Sequence, residues 1–455
     1  MLNVLLAYSV NTLYNSVVNR GNKMKKLLEI FLLLVGMIMV GSCATDSNKV
    51  ETNNAEVEKE KPVVVVEPST NGLGITDAKY ASSLKISLLN KGNNYLVKQV
   101  LAKMRAGEEN VYIAALGGSV TEGAGPSSFK QGYAYQFKDF LTEKYAADAK
   151  KVFFDGAGIG GTPSPMGLVR YQKDVVDYWG RTPDLLLIEF AVNDWQECSN
   201  TRAFEYLIRD ALKNGTAVIV VFAAATYGNQ QQVMSPVAQF YKVPEVSVSN
   251  ALDYSGINKN KDTNIYYTDM VHPTAKGHKF MADCIMNLIE VIDEAEADEP
   301  FAIPEGYKNA NAFTEFKTIY SNTEDSNVKI TAGGFSKKDT FVQNYMKGGK
   351  SFPDNWYYDG SEAAIGGGSF KMTLNCKSLI FIYKNSNSKT FGNAEVYVDG
   401  KLYKKFNGCD GTGWNNCIVT MIIDGKESAK HTVEVKMAEG EENKAFTILA
   451  MGYAK

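Results

Sequence analysis

Four apolar runs between residues 73 and 299 have the pattern of strands that are covered on both faces. They are Val111–Leu116, Val152–Asp155, Leu185–Phe190 and Ala217–Ala224, and each is nearly continuous rather than alternating. Apolar residues recur at helical spacing between and after these runs, which predicts helices there. Residues 95–104 predict a further helix before the run Val111–Leu116. Strands and helices that alternate in this way predict an α/β domain built on a parallel sheet.

The pattern changes at about Pro300, where short strand-like runs alternate with turn residues. The runs are Leu379–Tyr383, Ala394–Val398, Cys417–Ile423, His431–Lys436 and Ala445–Met451. The second run ends in Asp399-Gly400 and the third in Asp424-Gly425, and such pairs favour tight hairpin turns because glycine accepts a positive φ. Residues 300–455 are therefore predicted to form an all-β sandwich of jelly-roll type.

The amino-terminal segment has the pattern of an export signal. Positive charge at Lys25 and Lys26 precedes the apolar run Ile30–Val40, which is shorter than the ~20 residues that a membrane-spanning helix needs. Val40–Cys43 resembles a bacterial lipobox, so we expect a signal peptide over residues 24–42 and a lipid on Cys43. An ordinary signal peptide that happens to contain a cysteine is the alternative.

Two further segments flank this signal. Residues 1–23 have the character of sequence from an upstream start codon, and the polar residues 43–72 predict a tether. The expected location is the bacterial cell envelope, periplasmic or at the cell surface, with membrane contact through the lipid alone. The sequence does not determine the oligomeric state.

Composition narrows the classes of function. The chain is 45% hydrophobic and 22% charged with a net charge of −3, which argues against a nucleic-acid partner because phosphate contacts need a basic excess. Its three histidines disfavour a histidine-rich metal site. Gly156, Gly158 and Gly161 match a dinucleotide-binding spacing, but Pro163 and Pro165 interrupt the helix that this motif requires. No metal or organic cofactor is predicted.

Four short blocks carry candidate chemistry, and each follows a predicted strand or leads into a helix. They are Gly117–Thr121, Gly156–Thr162, Ala191–Asp194 and Asp269–Pro273. Ligands of an open parallel sheet bind beyond the carboxyl ends of its strands, so these blocks are expected to meet at one edge.

Together the blocks supply the groups that acyl transfer requires. Ser119 is a candidate nucleophile, His272 its general base, and Asp269 the carboxylate that fixes the tautomer of the imidazole. The backbone N–H groups of Ser119 and Gly158 and the side-chain amide of Asn193 are candidate donors to an oxyanion.

The four blocks in this order resemble the SGNH (GDSL-type) hydrolases. The features that carry the resemblance are a serine in a Gly-x-Ser-x-Thr block, a glycine, an Asn-Asp pair and a terminal Asp-x-x-His-Pro. The resemblance covers about residues 95–295 and implies a three-layer α/β/α fold, with Ser119, Asp269 and His272 as triad and Gly158 and Asn193 completing the oxyanion hole. Gly118 and Ala191 depart from the usual family pattern and resemble a Gly-Gly-Ser-x-Thr subgroup. The carboxy-terminal region resembles, more loosely, the jelly-roll domain of certain carbohydrate esterases.

The expected function is that of a serine carboxylic-ester hydrolase that removes acetyl groups from a polysaccharide or oligosaccharide. The resemblance implies an acetylated glycan or another small acyl ester as the substrate. Three alternatives stay open: an O-acyltransferase that uses the same triad, a glycan-binding lipoprotein without activity, and a lipase, although no long apolar lid lies near the blocks.

Several remaining residues have a structural interpretation. We expect His278 to be a solvated surface residue, His431 to be structural, and Asp194 to brace the loop beside Asn193. The sequence leaves open whether Cys409 and Cys417 form a disulfide. It also leaves open whether the aromatic residues expected in loops of the β domain pack in its core or stack on sugar rings; they are Trp356, Tyr357, Tyr358 and Trp414.

Overall fold

The structure, a computed structural model, describes residues 71–257 and 265–455. The predicted signal peptide, Cys43 and the tether up to residue 70 lie outside the described residues and stay predictions. Within the described ranges, no helix combines the length and the apolar character that crossing a bilayer would require.

The first domain is a sheet with helices on both faces. Its described strands are β1 (Leu88–Asn90), β2 (Val111–Gly117), β3 (Val152–Gly158), β4 (Leu185–Glu189), β5 (Ala217–Phe222) and β6 (Glu245–Ser247), in the spatial order β1-β6-β5-β4-β2-β3. Strands β2 to β6 are parallel, which confirms the predicted sheet, and only the short β1 pairs antiparallel to β6.

The helices of this domain form two layers. They are α1 (Asp77–Ser87), α2 (Tyr95–Ala106), α3 (Ser119–Glu122), α4 (Tyr133–Tyr145), α5 (Ser164–Tyr171), α6 (Arg202–Lys213), α7 (Gln231–Phe240), α8 (Val248–Ser255) and α9 (Ala275–Glu294). Helices α2, α4, α8 and α9 bury apolar side chains on one face of the sheet, and α5, α6 and α7 do so on the other. The predicted three-layer α/β/α fold is therefore confirmed.

The second domain is an antiparallel β sandwich. Its elements are β7 (Lys317–Ile319), β8 (Val328–Thr331), β9 (Trp356–Tyr358), α10 (Glu362–Gly367), β10 (Phe370–Asn385), β11 (Asn393–Val398), β12 (Lys401–Asn407), β13 (Asn416–Met437) and β14 (Phe446–Ala454). The long strands β10 and β13 pair along their whole length, with register shifts near Cys376 and Leu379. One half of β10 also pairs with β8 and the other half with β14, so both long strands run through the two layers.

The two predicted Asp-Gly turns have different outcomes. Asp399 and Gly400 both adopt positive φ, 50° and 75°, and form the tight turn between β11 and β12. The prediction of a hairpin turn at Asp424-Gly425 is wrong, because both residues lie inside β13, at a point where its register against β10 shifts. The predicted strands Cys417–Ile423 and His431–Lys436 are therefore two halves of one strand.

The two domains share an apolar core. Ile380 and Ile382 of β10 and Leu449 of β14 belong to the same buried cluster as Leu168 of α5 and Phe204 of α6. The sandwich therefore covers the α5–α6 layer of the first domain, which brings loops of the β domain to the carboxyl end of the parallel sheet.

Candidate active site

Three of the predicted site residues form a chain of hydrogen bonds. The Oγ atom of Ser119 lies 2.8 Å from Nε2 of His272, and Nδ1 of the same ring lies 2.6 Å from Oδ2 of Asp269. Ser119 is the first residue of α3, directly after β2, while Asp269 and His272 belong to the loop that precedes α9. The order and distances are those of a nucleophile, a general base and the carboxylate that orients the base.

The loop itself prepares Asp269 for this position. Its Oδ1 atom accepts the backbone N–H groups of Val271 and His272, each at 2.8 Å, which leaves Oδ2 for the imidazole. Burial acts to raise the pKa of Asp269, but the hydrogen bonds from His272 and Val271 outweigh it and hold the pKa below its usual value. The carboxylate therefore stays ionised at neutral pH and stabilises the ring as it gains a proton.

Two glycines before Ser119 allow close approach of the neighbouring strand end. A Cβ atom at Gly117 would lie 2.2 Å from Oγ1 of Thr121, and one at Gly118 would lie 2.0 Å from Nδ2 of Asn193. The Asn193 amide thus lies directly against the backbone that leads into Ser119. It donates one N–H to the carbonyl of Thr162 at 3.2 Å, and its second N–H has no acceptor within residues 71–257 and 265–455, so it can serve an oxyanion.

Gly158 is the last residue of β3, the register of β3 on β2 gives the direction of its N–H, and its role as an oxyanion donor stays a prediction. Ile159 donates its N–H to the carbonyl of Gly117 in β2, and successive N–H groups of a strand alternate in direction, so the N–H of Gly158 faces away from β2. A Cβ at Gly158 would lie 2.2 Å from the backbone nitrogen of Glu122. This glycine therefore permits tight packing of β3 against α3. Gly161, two residues after Ile159, has a positive φ of 73° and an N–H without an acceptor among the described residues.

The threonine of the first block anchors the nucleophile turn. Thr121 Oγ1 lies 2.9 Å from the hydroxyl of Tyr133 and donates to Oε2 of Glu189 at 3.0 Å. Glu189 is fully buried at the end of β4, and burial raises its pKa to about 7. Sequence reasoning missed this carboxylate, although a single acid that closes an apolar strand run was a signal for it.

His278 is not a solvated surface residue as predicted. Its side chain is fully buried in α9, its Nδ1 accepts the N–H of Tyr133 at 3.1 Å, and its Nε2 lies 3.0 Å from the carbonyl of Ala124. Burial lowers its pKa to about 4, in keeping with a neutral ring that accepts at one nitrogen and donates at the other. The helix stripe was interpreted as apolar only, so a buried histidine that links two chain segments was overlooked.

Asp194 and His431 have the structural contacts that their sequence positions suggested. Asp194 accepts the N–H of Ser164 at 2.7 Å and so braces the start of α5 against the Asn193 loop, while burial raises its pKa to about 8. His431 lies 2.8 Å from Oδ2 of Asp399, next to the β11–β12 turn.

The cysteines and aromatic residues of the β domain resolve two open alternatives. Cys409 and Cys417 are both free, so they form no disulfide. Trp356 and Tyr358 are buried in β9, as core residues. Trp414 is 57% exposed and lies beside Gly161, where an added Cβ would be 3.4 Å from the indole ring.

Comparisons with known proteins agree with this geometry. Residues 115–280 match the model of the GDSL-like lipase/acylhydrolase family, and this segment contains Ser119, Asn193, Asp269 and His272. The matched segment lies within the α/β domain, which is similar to this family, and the chain is an ester-bond hydrolase that carries a second, all-β domain.

The whole two-domain arrangement has a counterpart among solved structures. A two-domain esterase (CEX) active on acetylated mannans aligns with a TM-score of 0.67 at 25% identity, covering 82% of this chain and 98% of its own. The same esterase co-crystallized with mannopentaose aligns with a TM-score of 0.67 at 24% identity, over 82% and 99%. A catalytic mutant of the acetylxylan esterase Axe2 from Geobacillus stearothermophilus aligns at 16% identity and a TM-score of 0.33, over 40% of this chain and 94% of its own. None of the curated proteins matches the chain.

Proposed function

We propose that the protein removes O-acetyl groups from a polysaccharide or oligosaccharide through an acyl-enzyme on Ser119. The observation that carries the proposal is the continuous hydrogen-bond chain from Ser119 through His272 to Asp269, with distances of 2.8 and 2.6 Å. A neutral serine hydroxyl is a weak nucleophile, and a base within hydrogen-bonding reach activates it.

The acylation step follows from the positions of these groups. Ser119 Oγ attacks the ester carbonyl while Nε2 of His272 takes its proton, and the charge on the ring is balanced by Asp269. The negative charge that develops on the carbonyl oxygen meets the N–H of Ser119, at the start of α3, and the free amide N–H of Asn193. Collapse of the tetrahedral intermediate breaks the bond to the sugar oxygen, which leaves with the proton from His272.

Deacylation repeats the chemistry with water. His272 takes a proton from a water molecule that attacks the acetyl carbonyl, and the bond to Ser119 Oγ then breaks as His272 returns the proton. The net reaction consumes one water and releases acetate and a free sugar hydroxyl.

A sugar substrate is supported by the rim of the site and by the alignment with the acetylmannan esterase over both domains. Trp414 lies beside the Gly161 loop, and its exposed indole can stack on a sugar ring. Tyr227, half exposed, donates its hydroxyl to the carbonyl of Val192, the residue before Asn193, at 3.3 Å. Both rings are therefore attached to loops that carry site residues, where they can contact a sugar.

The experiment is release of acetate from a panel of acetylated mannans, xylans and oligosaccharides by protein that begins near residue 67. Ser119→Ala should lower kcat by roughly 10⁴- to 10⁶-fold, as loss of a triad nucleophile does. Ser127→Ala is the matched control, since Ser127 is exposed in the following loop and its hydroxyl donates to the side chain of Gln131 at 3.4 Å. We expect its turnover to equal that of the wild type.

The outcomes separate the alternatives. Acetate release that depends on Ser119 supports the hydrolase. Transfer of the acetyl group to an added acceptor sugar in preference to water would show an O-acyltransferase. Binding of the glycans with no turnover of any ester would overturn the proposal in favour of a binding protein, and wild-type turnover by Ser119→Ala would overturn the assignment of the nucleophile.

A further inference from the structure

The β domain contacts the backbone of the loop that flanks Ser119. The side chain of Gln343, which is buried, donates from Nε2 to the carbonyl oxygen of Gly160 at 3.0 Å. Its Oε1 accepts the N–H of Cys417 at 3.4 Å, so the amide is held from both ends. Gln343 lies nearly two hundred residues after Gly160, and no local sequence pattern links the two.

The same loop is held a second time through a carboxylate. Glu122, the last residue of α3, accepts the N–H of Gly160 with Oε2 and the N–H of Met346 with Oε1, each at 2.8 Å. Met346 belongs to the same β-domain segment as Gln343. Both polar groups of Gly160 are therefore occupied, one through Glu122 and one directly by Gln343.

These contacts determine the direction of the next N–H. In a planar trans peptide the C=O of one residue and the N–H of the next point in opposite directions, so a Gly160 carbonyl held by Gln343 directs the Gly161 N–H away from it. Gly160 is next to the nucleophile, since a Cβ added there would lie 3.8 Å from Cβ of Ser119. The Gly161 N–H has no acceptor in the described part of the chain.

We propose that Gln343 of the β domain, together with Glu122, is a positioning residue that holds the Gly160–Gly161 loop with the Gly161 N–H aimed at the oxyanion. The inference rests on the proposed acyl-enzyme reaction at Ser119. It makes the β domain part of the machinery that stabilises the transition state, in addition to any contact with the sugar.

The test uses p-nitrophenyl acetate, an ester without a sugar, so that contacts to a glycan do not enter the result. Gln343→Met keeps the length of the side chain and removes the donor to Gly160. We expect kcat to fall about 10- to 100-fold, less than the 10²–10³-fold typical of complete loss of a donor, because the Gly161 N–H is misaligned and not removed. KM should stay within about twofold, because the interaction strengthens only in the transition state.

A second variant and a control isolate the cause. Glu122→Gln places an amide N–H against one of the two backbone N–H groups, of Gly160 or Met346, that need an acceptor. It should therefore lower kcat in the same way as Gln343→Met. If Gln343→Met does not fold, the kcat of Glu122→Gln tests the inference. Asn344→Ala changes an exposed neighbour whose side chain has no hydrogen bond to the residues that the structure describes, and it should retain wild-type kcat.

Affinity for phenylboronic acid, which forms a tetrahedral adduct with a serine, gives a readout that a merely structural role would not move. We expect Gln343→Met to weaken this affinity by about the same factor as kcat. Wild-type kcat in both variants, or a lower kcat with unchanged boronate affinity, would overturn the inference. The comparison of Ser119→Ala with the wild type tests the proposed acyl-enzyme reaction separately. A failure of the proposed function can therefore be distinguished from a failure of the inference about Gln343 and Glu122.

Discussion

At the scale of single residues, the site depends on positions where a side chain is missing. Gly118 has φ −89°, which any residue can adopt, so its requirement for glycine comes from space and not from backbone conformation. A Cβ atom there would lie 2.0 Å from the Asn193 amide nitrogen. The glycine therefore determines where an oxyanion donor lies, and its effect should be on rate more than on stability.

The variant Gly118→Ala tests this effect. The atom that must move is the end of the Asn193 side chain, so we expect a folded protein whose kcat for p-nitrophenyl acetate is about 10²-fold lower, as for loss of one oxyanion donor. The kinetic assay is paired with the melting temperature, which should change little.

Gly366→Ala is the control for Gly118→Ala, because an added Cβ at Gly366 in α10 meets no atom within 4 Å. Combining Gly118→Ala with Asn193→Ala should add little to either single change, since both act on one donor. Additive losses in the double variant would contradict this account.

At the scale of elements, α9 joins the catalytic loop to the rest of the domain. Thr274 caps the helix by accepting the N–H of Gly277, and the loop before it carries His272 and Asp269. Four residues after the cap, His278 receives the N–H of Tyr133 at the start of α4. The catalytic loop, α9 and the segment that follows the nucleophile turn are thus linked by a neutral buried imidazole.

The lowered pKa of His278 predicts a pH dependence of stability. The ordinary pKa of 6.5 applies to the unfolded chain, and the folded value is about 4, so below pH 6.5 the unfolded chain binds a proton that the folded chain excludes. The neutral ring of His278 therefore contributes its full share to the free energy of unfolding above pH 6.5. This share is lost as the pH falls towards 4, by up to about 3 kcal/mol. Urea unfolding of the wild type and of His278→Gln at pH 7.5, 6 and 5 should show this loss as a difference between the two proteins.

A difference measurement assigns this loss to His278. Glu189 and Asp194 have raised pKa values and act with the opposite sign, because the folded chain retains their protons to higher pH. His278→Gln keeps a donor and an acceptor but cannot titrate, so its free energy of unfolding should fall less between pH 6.5 and 5 than that of the wild type. Equal falls in the two proteins would show that His278 is not the cause.

At the scale of the whole molecule, the α/β domain and the β domain are packed against each other over a common core. They share a buried apolar cluster, and ion pairs cross between them, such as Arg202 with Asp424 at 2.8 Å and Asp155 with Lys347 at 2.6 Å. Separating the domains would expose apolar surface on both, which costs about 25 cal/mol per Å². The β domain therefore cannot leave the catalytic domain without a large cost in free energy.

This shared core predicts one unfolding transition. Scanning calorimetry of the chain from residue 67 should show a single endotherm whose calorimetric and van't Hoff enthalpies agree. Leu449→Ala, at the shared core, should lower stability by roughly 2–5 kcal/mol and shift the endotherm without splitting it. Two resolved transitions in the wild type would contradict a common cooperative unit.

Local pattern was sufficient for much of the fold. Strands β2, β3, β4 and β5 begin at the predicted residues, because strands covered on both faces need near-continuous apolar runs. Three-residue strands such as β1 and β6 were missed, since so short a run has no detectable period. The sequence predicts a hairpin turn at Asp424, where β13 has only a register shift against β10, because an Asp-Gly pair is typical of both.

The order of the blocks by itself determined that Ser119, Asn193 and His272 would meet, because each follows or precedes an element of a parallel sheet whose strand ends share one edge. The packing of whole elements turns the N–H of Gly158 away from β2 and buries His278. The same packing brings Gln343 and Trp414 to the Gly160–Gly161 loop. The physical reason is that period and turn chemistry act over a few residues, whereas the direction of an N–H and the contacts of a distant domain depend on how whole elements pack.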